Sequence, residues 1–197
     1  MDKEVQSEAV CALSKKNDLE KAIAVGMHGA IEFKHDEKIC YLGEFKENVI
    51  KLLSKKQVAD PAIYPEIISA LQDKRTTKMI IDGSMDIRFS EKYKKLAIKM
   101  NKPYTVRNAP EFKGTIGLLI ISNEASDIQD ITVEDRSTRL QRLGISPALI
   151  NAVGKKVCRE CFEQIQEADP SEASNYHELT FLDRISGDSC PVHEAEK

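Results

Sequence analysis

Cys158-Arg159-Glu160-Cys161 and Cys190-Pro191-Val192-His193 form two short knuckles, each with a metal-seeking side chain at both ends. Three thiols and one imidazole make up the donor set that a tetrahedral structural zinc takes, with sulfur at about 2.3 Å and nitrogen at about 2.0–2.1 Å. The spacer, residues 162–189, is long enough to double back and bring the knuckles together. Cys158, Cys161, Cys190 and His193 are therefore the expected ligands of a Zn2+ ion, with His177 as a substitute. Four protein ligands leave no open coordination position, so the metal would hold structure and take no part in catalysis. A redox C-x-x-C is the competing chemistry, and no thioredoxin-like context precedes the pair to support it. Cys11 and Cys40 stand apart from the knuckles and read as inert thiols.

Three weaker constellations lie upstream. Asp82-Gly83 ends an apolar run just before a helical pattern, where α/β sheets gather ligands, and Asn108 would share that end of the sheet. The plainer account of Gly83 is a turn in the left-handed region. Lys92, Lys95, Lys99 and Lys102, with Lys94 and Arg107 beside them, could line a basic face for RNA, although such rows are usually solvated helix surface and no glycine-aromatic interleaving accompanies this one. Arg136, Arg139 and Arg142 fall on one helical face and could meet an acidic partner or the acidic tail of the same chain. His28 and His35 have no Ser or Cys nucleophile and orienting acid at recognisable spacing, so catalysis has no residues to rest on and the protein reads as non-enzymatic.

Composition narrows the class. Of 197 residues, 41% are hydrophobic and 31% charged, the balance of a soluble globular chain with one main core. No apolar stretch reaches the roughly 18 residues that span a bilayer. The acids in Met1-Asp2-Lys3-Glu4 read against a secretory signal, and a reducing cytoplasmic setting makes thiols or metal ligands of the five cysteines. Residues 155–197 hold five basic and ten acidic side chains, so this tail should not bind nucleic acid by itself.

The elements that must position these residues follow from periodicity. Residues 1–18 form a flexible N-terminal arm, and Leu19 to Val25 form a short helix ended by Gly26 and Gly29. Val49 to Leu53 read as a strand, and Tyr64, Ile67, Ile68 and Leu71 recur as a helix face. Lys78 to Asp82 is a buried strand, Tyr93, Leu96, Ala97 and Met100 line a helix, and Tyr104 to Val106 is a third strand. Gly117 to Ser122 is an apolar core strand, and its closeness to the third strand predicts that the two pair antiparallel. Ile128 and Ile131 mark a further short element, and Ser146-Pro147 opens a helix after a basic segment at Arg136 to Leu143. The order β-α-β-α-β-β describes an α/β (α+β) domain with a mixed sheet over residues 19–153, followed from Gly154 by a small Cys/His-bearing appendage at 154–197.

Tyr41-Leu42-Gly43-Glu44-Phe45-Lys46-Glu47-Asn48-Val49, Lys56-Gln57-Val58, Ile63-Tyr64-Pro65-Glu66, Asp82-Gly83 and Gly117-Leu118, preceded by Gly26-Met27-His28-Gly29, together resemble the YueI-like family of Firmicute proteins, a domain of unknown function. The similarity covers roughly Leu19 to Glu134. It implies a fold like that of Bacillus chorismate mutase, an architecture shared with ribosomal proteins that recognise kinked RNA, although the Gly-Ala/Asn-Glu contact signature of that class is missing here. The expectation is a cytoplasmic binding or adaptor protein for a protein partner with a structural zinc. RNA binding through the basic helix, or a small-molecule enzyme with a pocket near Asp82-Gly83, are the alternatives.

Overall fold

The structure, a computed structural model, describes residues 35–194 apart from Lys113, Ser126, Asp127 and Gln129. The N-terminal arm, the Leu19 to Val25 helix, Cys11 and His28 lie outside the described residues. The described residues from Asp36 onward belong to one compact unit.

Helix α1 (His35–Cys40) leads through a 3-10 turn into strand β1 (Val49–Ser54). Short helix α2 (Lys55–Ala59) starts where Ser54 and Gln57 close a capping box: the Ser54 hydroxyl accepts the Gln57 N–H, and the Gln57 side chain accepts the Ser54 N–H. Helix α3 (Pro65–Gln72), with proline in its first turn, precedes strand β2 (Thr76–Asp82). Helix α4 (Ile87–Lys99), capped by Asp86, crosses back to strand β3 (Tyr104–Arg107), and strand β4 (Ile116–Ser122) completes the sheet.

The four strands lie in the order β1-β4-β2-β3. β2 and β3 are parallel, whereas β4 is antiparallel to both β1 and β2. The expected antiparallel pairing of β3 with β4 is therefore not formed, because β4 passes β2 and inserts between it and β1. Burial explains the choice. Every residue from Gly117 to Ser122 is buried, which suits a central position, while the exposed Tyr104 and Val106 suit an edge. Crossing one strand costs the 108–115 connection only about 10 Å of reach.

Alternation along the strands serves two faces. Met79, Ile81, Leu118 and Ile120 pack with Ile67, Leu71, Tyr93 and Ala97 of the helices. Ile80, Leu119 and Ile121 point the other way, onto Leu42, Val49 and Ile131. The element expected at Ile128 and Ile131 is not formed, since the described residues there are irregular. Ile131 is fixed instead by its buried side chain and by its carbonyl, which accepts the Leu52 N–H at 2.8 Å. Gly117 permits the closest approach in the sheet, where a Cβ would fall 2.9 Å from Lys55 Cα and 2.9 Å from Met85 Sδ.

Beyond the sheet come helices α5 (Arg136–Arg142) and α6 (Pro147–Ile150), strand β5 (Lys156–Val157), helix α7 (Arg159–Ala168), a 3-10 turn at Glu172–Asn175, strand β6 (His177–Glu178), and helices α8 (Phe181–Ile185) and α9 (Pro191–Glu194). Their apolar cluster joins Leu140, Ile145, Leu149 and Ile150 to Val157, Cys161, Ile165, Tyr176, Leu179, Cys190 and Val192. The apolar cluster of the tail therefore includes side chains of α5 and α6, which precede Gly154.

A network centred on Glu172 links this segment to α3 and the residues just before it. Fully buried, it accepts Arg136 at 2.5 Å, Arg139 at 2.8 Å and the Asn175 amide at 2.8 Å. Arg139 also reaches Glu66 on α3 at 2.5 Å, and the Asn175 side chain brackets Ile63, accepting its N–H at 2.8 Å and donating to its carbonyl at 3.0 Å. Of the arginine face, Arg136 and Arg139 pair with the acidic tail as the duller reading expects, whereas Arg142 turns to Glu134 at 2.8 Å.

Candidate metal centre

Each knuckle straddles the start of a helix. Cys158 is the N-cap of α7, in an extended backbone conformation, and Cys161 sits in the first turn on the face that also buries Ile165. Cys190 immediately precedes α9, and the His193 N–H donates to its carbonyl at 3.2 Å. In both, the residues three apart can turn their side chains to one side because the chain enters a helix between them. The two-residue strands β5 and β6 then set the fold-back. Lys156 pairs with His177 and Val157 with Glu178, and the Leu179 N–H donates to the Val157 carbonyl at 2.8 Å.

The result brings the two knuckles together. The Cys158, Cys161 and His193 ligand atoms lie within 4.8 Å of one another. Cys161 Sγ is 3.6 Å from His193 Nε2 and 3.9 Å from Cys190 Sγ. Neither Cys190 nor His177 belongs to that group of three: Cys190 adjoins it through Cys161, and His177 is exposed on β6. Cys161 and Cys190 are buried and Cys158 partly so, while His193 is exposed. Cys158, Cys190 and His193 border an open concavity of about 520 Å³, together with Arg159, Glu163 and Arg184.

Electrostatics divide the thiols. Burial pushes the Cys161 thiol up to about 12, helped by the neighbouring Cys158 and Cys190 sulfurs. Burial also acts to raise Cys190, but backbone N–H groups of Cys158, Val192 and His193 directed at its sulfur bring it below the usual thiol value. A divalent cation among such groups reverses the penalty on Cys161, since a coordinating thiol gives up its proton outright. The donor set and its spacing fit a soft or borderline metal such as zinc.

The other candidate positions are arranged differently. Asp82 is buried beside the Lys55 ammonium at 2.8 Å and accepts the Ser84 N–H at 2.8 Å. Although burial acts to raise its pKa, those partners hold the carboxyl below the usual range. Gly83 serves a close approach and not a left-handed turn: its N–H donates to the Arg107 carbonyl at 2.7 Å, and a Cβ would meet Val106 at 3.0 Å and Asn108 at 3.1 Å. Asn108 itself is exposed.

Lys92 turns inward to the Asp60 and Ala62 carbonyls, with burial pushing its ammonium down to about 8. Lys102 caps the Asp73 and Thr76 carbonyls at 3.3 and 2.9 Å, so only Lys95 and Lys99 of that row stand free in solvent. The buried Glu172 hub is not announced by its neighbours in sequence, as its two arginine partners lie 33 and 36 residues away.

Taken together, fold and site define a mixed α/β sheet protein with a thiol-imidazole cluster appended. The chain belongs to the family described as "Protein of unknown function (DUF1694)", whose model matches residues 16–132, more than half its length. The uncharacterized protein YueI of Bacillus subtilis (strain 168) is 26% identical over 110 residues, 56% of this chain and 83% of that protein. The crystal structure of the YueI protein from Bacillus subtilis shares the fold, with a TM-score of 0.50 at 24% identity over 61% of this chain and 94% of that one. The family match ends before α5, so the cluster lies outside it. Among the described residues no helix is long and apolar enough to cross a membrane.

Proposed function

We propose that this is a non-enzymatic cytoplasmic binding or adaptor protein, in which a YueI-like domain meets a protein partner and the C-terminal segment is held by a structural zinc ion. One observation carries the metal reading. A tetrahedron around zinc with the usual bond lengths has sulfur-sulfur edges of about 3.8 Å and sulfur-nitrogen edges of about 3.6 Å. The Cys161-Cys190 and Cys161-His193 separations are 3.9 and 3.6 Å. Two sulfurs and an imidazole lie within 4.8 Å of one another, and the Cys190 sulfur adjoins that group through Cys161. For the partner, support comes from α8, whose Phe181, Leu182 and Ile185 are 77%, 72% and 68% exposed, an apolar surface that another protein would cover.

Metal analysis of protein purified without a metal-affinity column tests the reading. One zinc per chain is expected, lost in the Cys158→Ser/Cys161→Ser double variant. A metal-free preparation whose stability the double substitution leaves unchanged overturns it. The RNA alternative would rest on Lys95 and Lys99, and it predicts retention of cellular RNA that falls steeply with salt. The adaptor reading expects no such retention.

A further inference from the structure

We propose that Cys158 is a peroxide-reactive modification site, whose oxidation joins it to Cys161 and expels the metal. This rests on the structural-zinc reading and adds its regulation. Three observations lead there. Cys158 is the one sulfur of the cluster that is not buried, while Cys161 and Cys190 are. It borders the open concavity of about 520 Å³ that also reaches Cys190 and His193, so a small oxidant has a path to it. A resolving sulfur is already at hand, because the Cys158 and Cys161 ligand atoms are within 4.8 Å, one on the N-cap and one in the first turn of α7.

The chemistry balances with a hydroperoxide as oxidant. The Cys158 thiolate attacks the outer oxygen of ROOH, the O–O bond breaks, and sulfur loses two electrons to become the sulfenic acid while RO⁻ takes a proton and leaves as ROH. The Cys161 thiolate then attacks the Cys158 sulfur, the S–S bond forms, and hydroxide leaves with a proton as water. In sum, two thiolates, one hydroperoxide and two protons give one disulfide, one alcohol and one water. The metal loses two of its four ligands and departs.

Its departure frees a definite piece of chain. From Thr180 to Ser189 no side chain is buried, and Asp183 alone is partly covered, through its ion pair with Lys156. This stretch carries α8 and is tethered at its far end by Cys190 and His193, two of the four ligands. Oxidation therefore changes how Phe181, Leu182 and Ile185 are displayed.

The test treats the zinc-loaded full chain with hydrogen peroxide, follows zinc with a chelating dye, and maps disulfides in non-reduced peptides. Stoichiometric zinc release that keeps pace with a Cys158-Cys161 disulfide, reversed by dithiothreitol plus zinc and unchanged in Cys40→Ser, is the expected result. Zinc retained while the exposed Cys40 of the same molecules is oxidised overturns the proposal, as does release through a Cys161-Cys190 disulfide with Cys158 still reduced. Should the purified chain carry and accept no zinc, the metal reading fails on its own. The peptide map of that metal-free chain still decides whether Cys158 and Cys161 couple, and failure to couple overturns the modification site.

Discussion

The sheet and the C-terminal segment fill their centres by different means. Strand β4 sends Leu118 and Ile120 to one face and Leu119 and Ile121 to the other, and helices and loops cover both. In the C-terminal segment the strands have two residues each, and the buried centre mixes apolar groups with sulfur around Cys161 and Cys190 and borders a charged hub at Glu172. The contrast teaches a rule of scale. A long apolar strand stabilises itself by burial, whereas a segment of about 60 residues buries little and leans on cross-links. Here those are the Glu172 network, which fastens the segment to α3 and the residues just before it, and the proposed metal, which closes it.

The strongest way to break that contrast is to remove the metal. Structural zinc contributes about 10–16 kcal/mol in small domains, so chelation should strip hydrogen-exchange protection from residues 156–194 while β2 and β4 amides stay protected. Equal loss in both regions, or none in the tail, would end the distinction. Next in size is Glu172→Gln. Removing the carboxylate leaves the buried Arg136 unpaired, and a loss of about 3–5 kcal/mol in urea unfolding is expected, felt by both regions because the hub joins them. Leu119→Ala, at a fully buried position of β4, should cost about 2–5 kcal/mol of global stability and leave metal content unchanged.

Acid gives the smallest and most selective comparison. Protons compete with a metal for its ligands, so the metal should leave as the solution is acidified. Asp82 behaves differently. Its folded pKa lies below the unfolded value of about 3.9, so its contribution is present above that value and fades only as pH drops through the folded pKa. Tail protection should vanish first in an acid titration, and the stability gap between wild type and Asp82→Asn should close only in stronger acid. The reverse order would contradict the assignment of the two regions.

Much of the sheet was legible in the residues. The runs at Val49, Lys78, Tyr104 and Gly117 became strands, and the patterns at Ile67 and Tyr93 became helices, since period and length read local structure directly. The order of strands was not legible. The short step from β3 to β4 favours a neighbouring pair, and only the demand of β4 for cover on both faces sends it to the middle. Gly83 and Lys92 were misread for a related reason. Whether a glycine serves a turn or a close neighbour, and whether a lysine faces water or carbonyls, depends on chain that is distant in sequence.

By itself the sequence determined the donor set and its pairing into two knuckles, because ligand chemistry resides in residue types and their spacing. It also determined the family, through ordered blocks between Tyr41 and Leu118. Tertiary structure alone decided that the knuckles meet, with Cys161 3.6 Å from His193, and that Cys158 keeps a path to solvent while Cys161 does not. Convergence and exposure are properties of packing between segments 32 residues apart, and no local pattern of side chains encodes them.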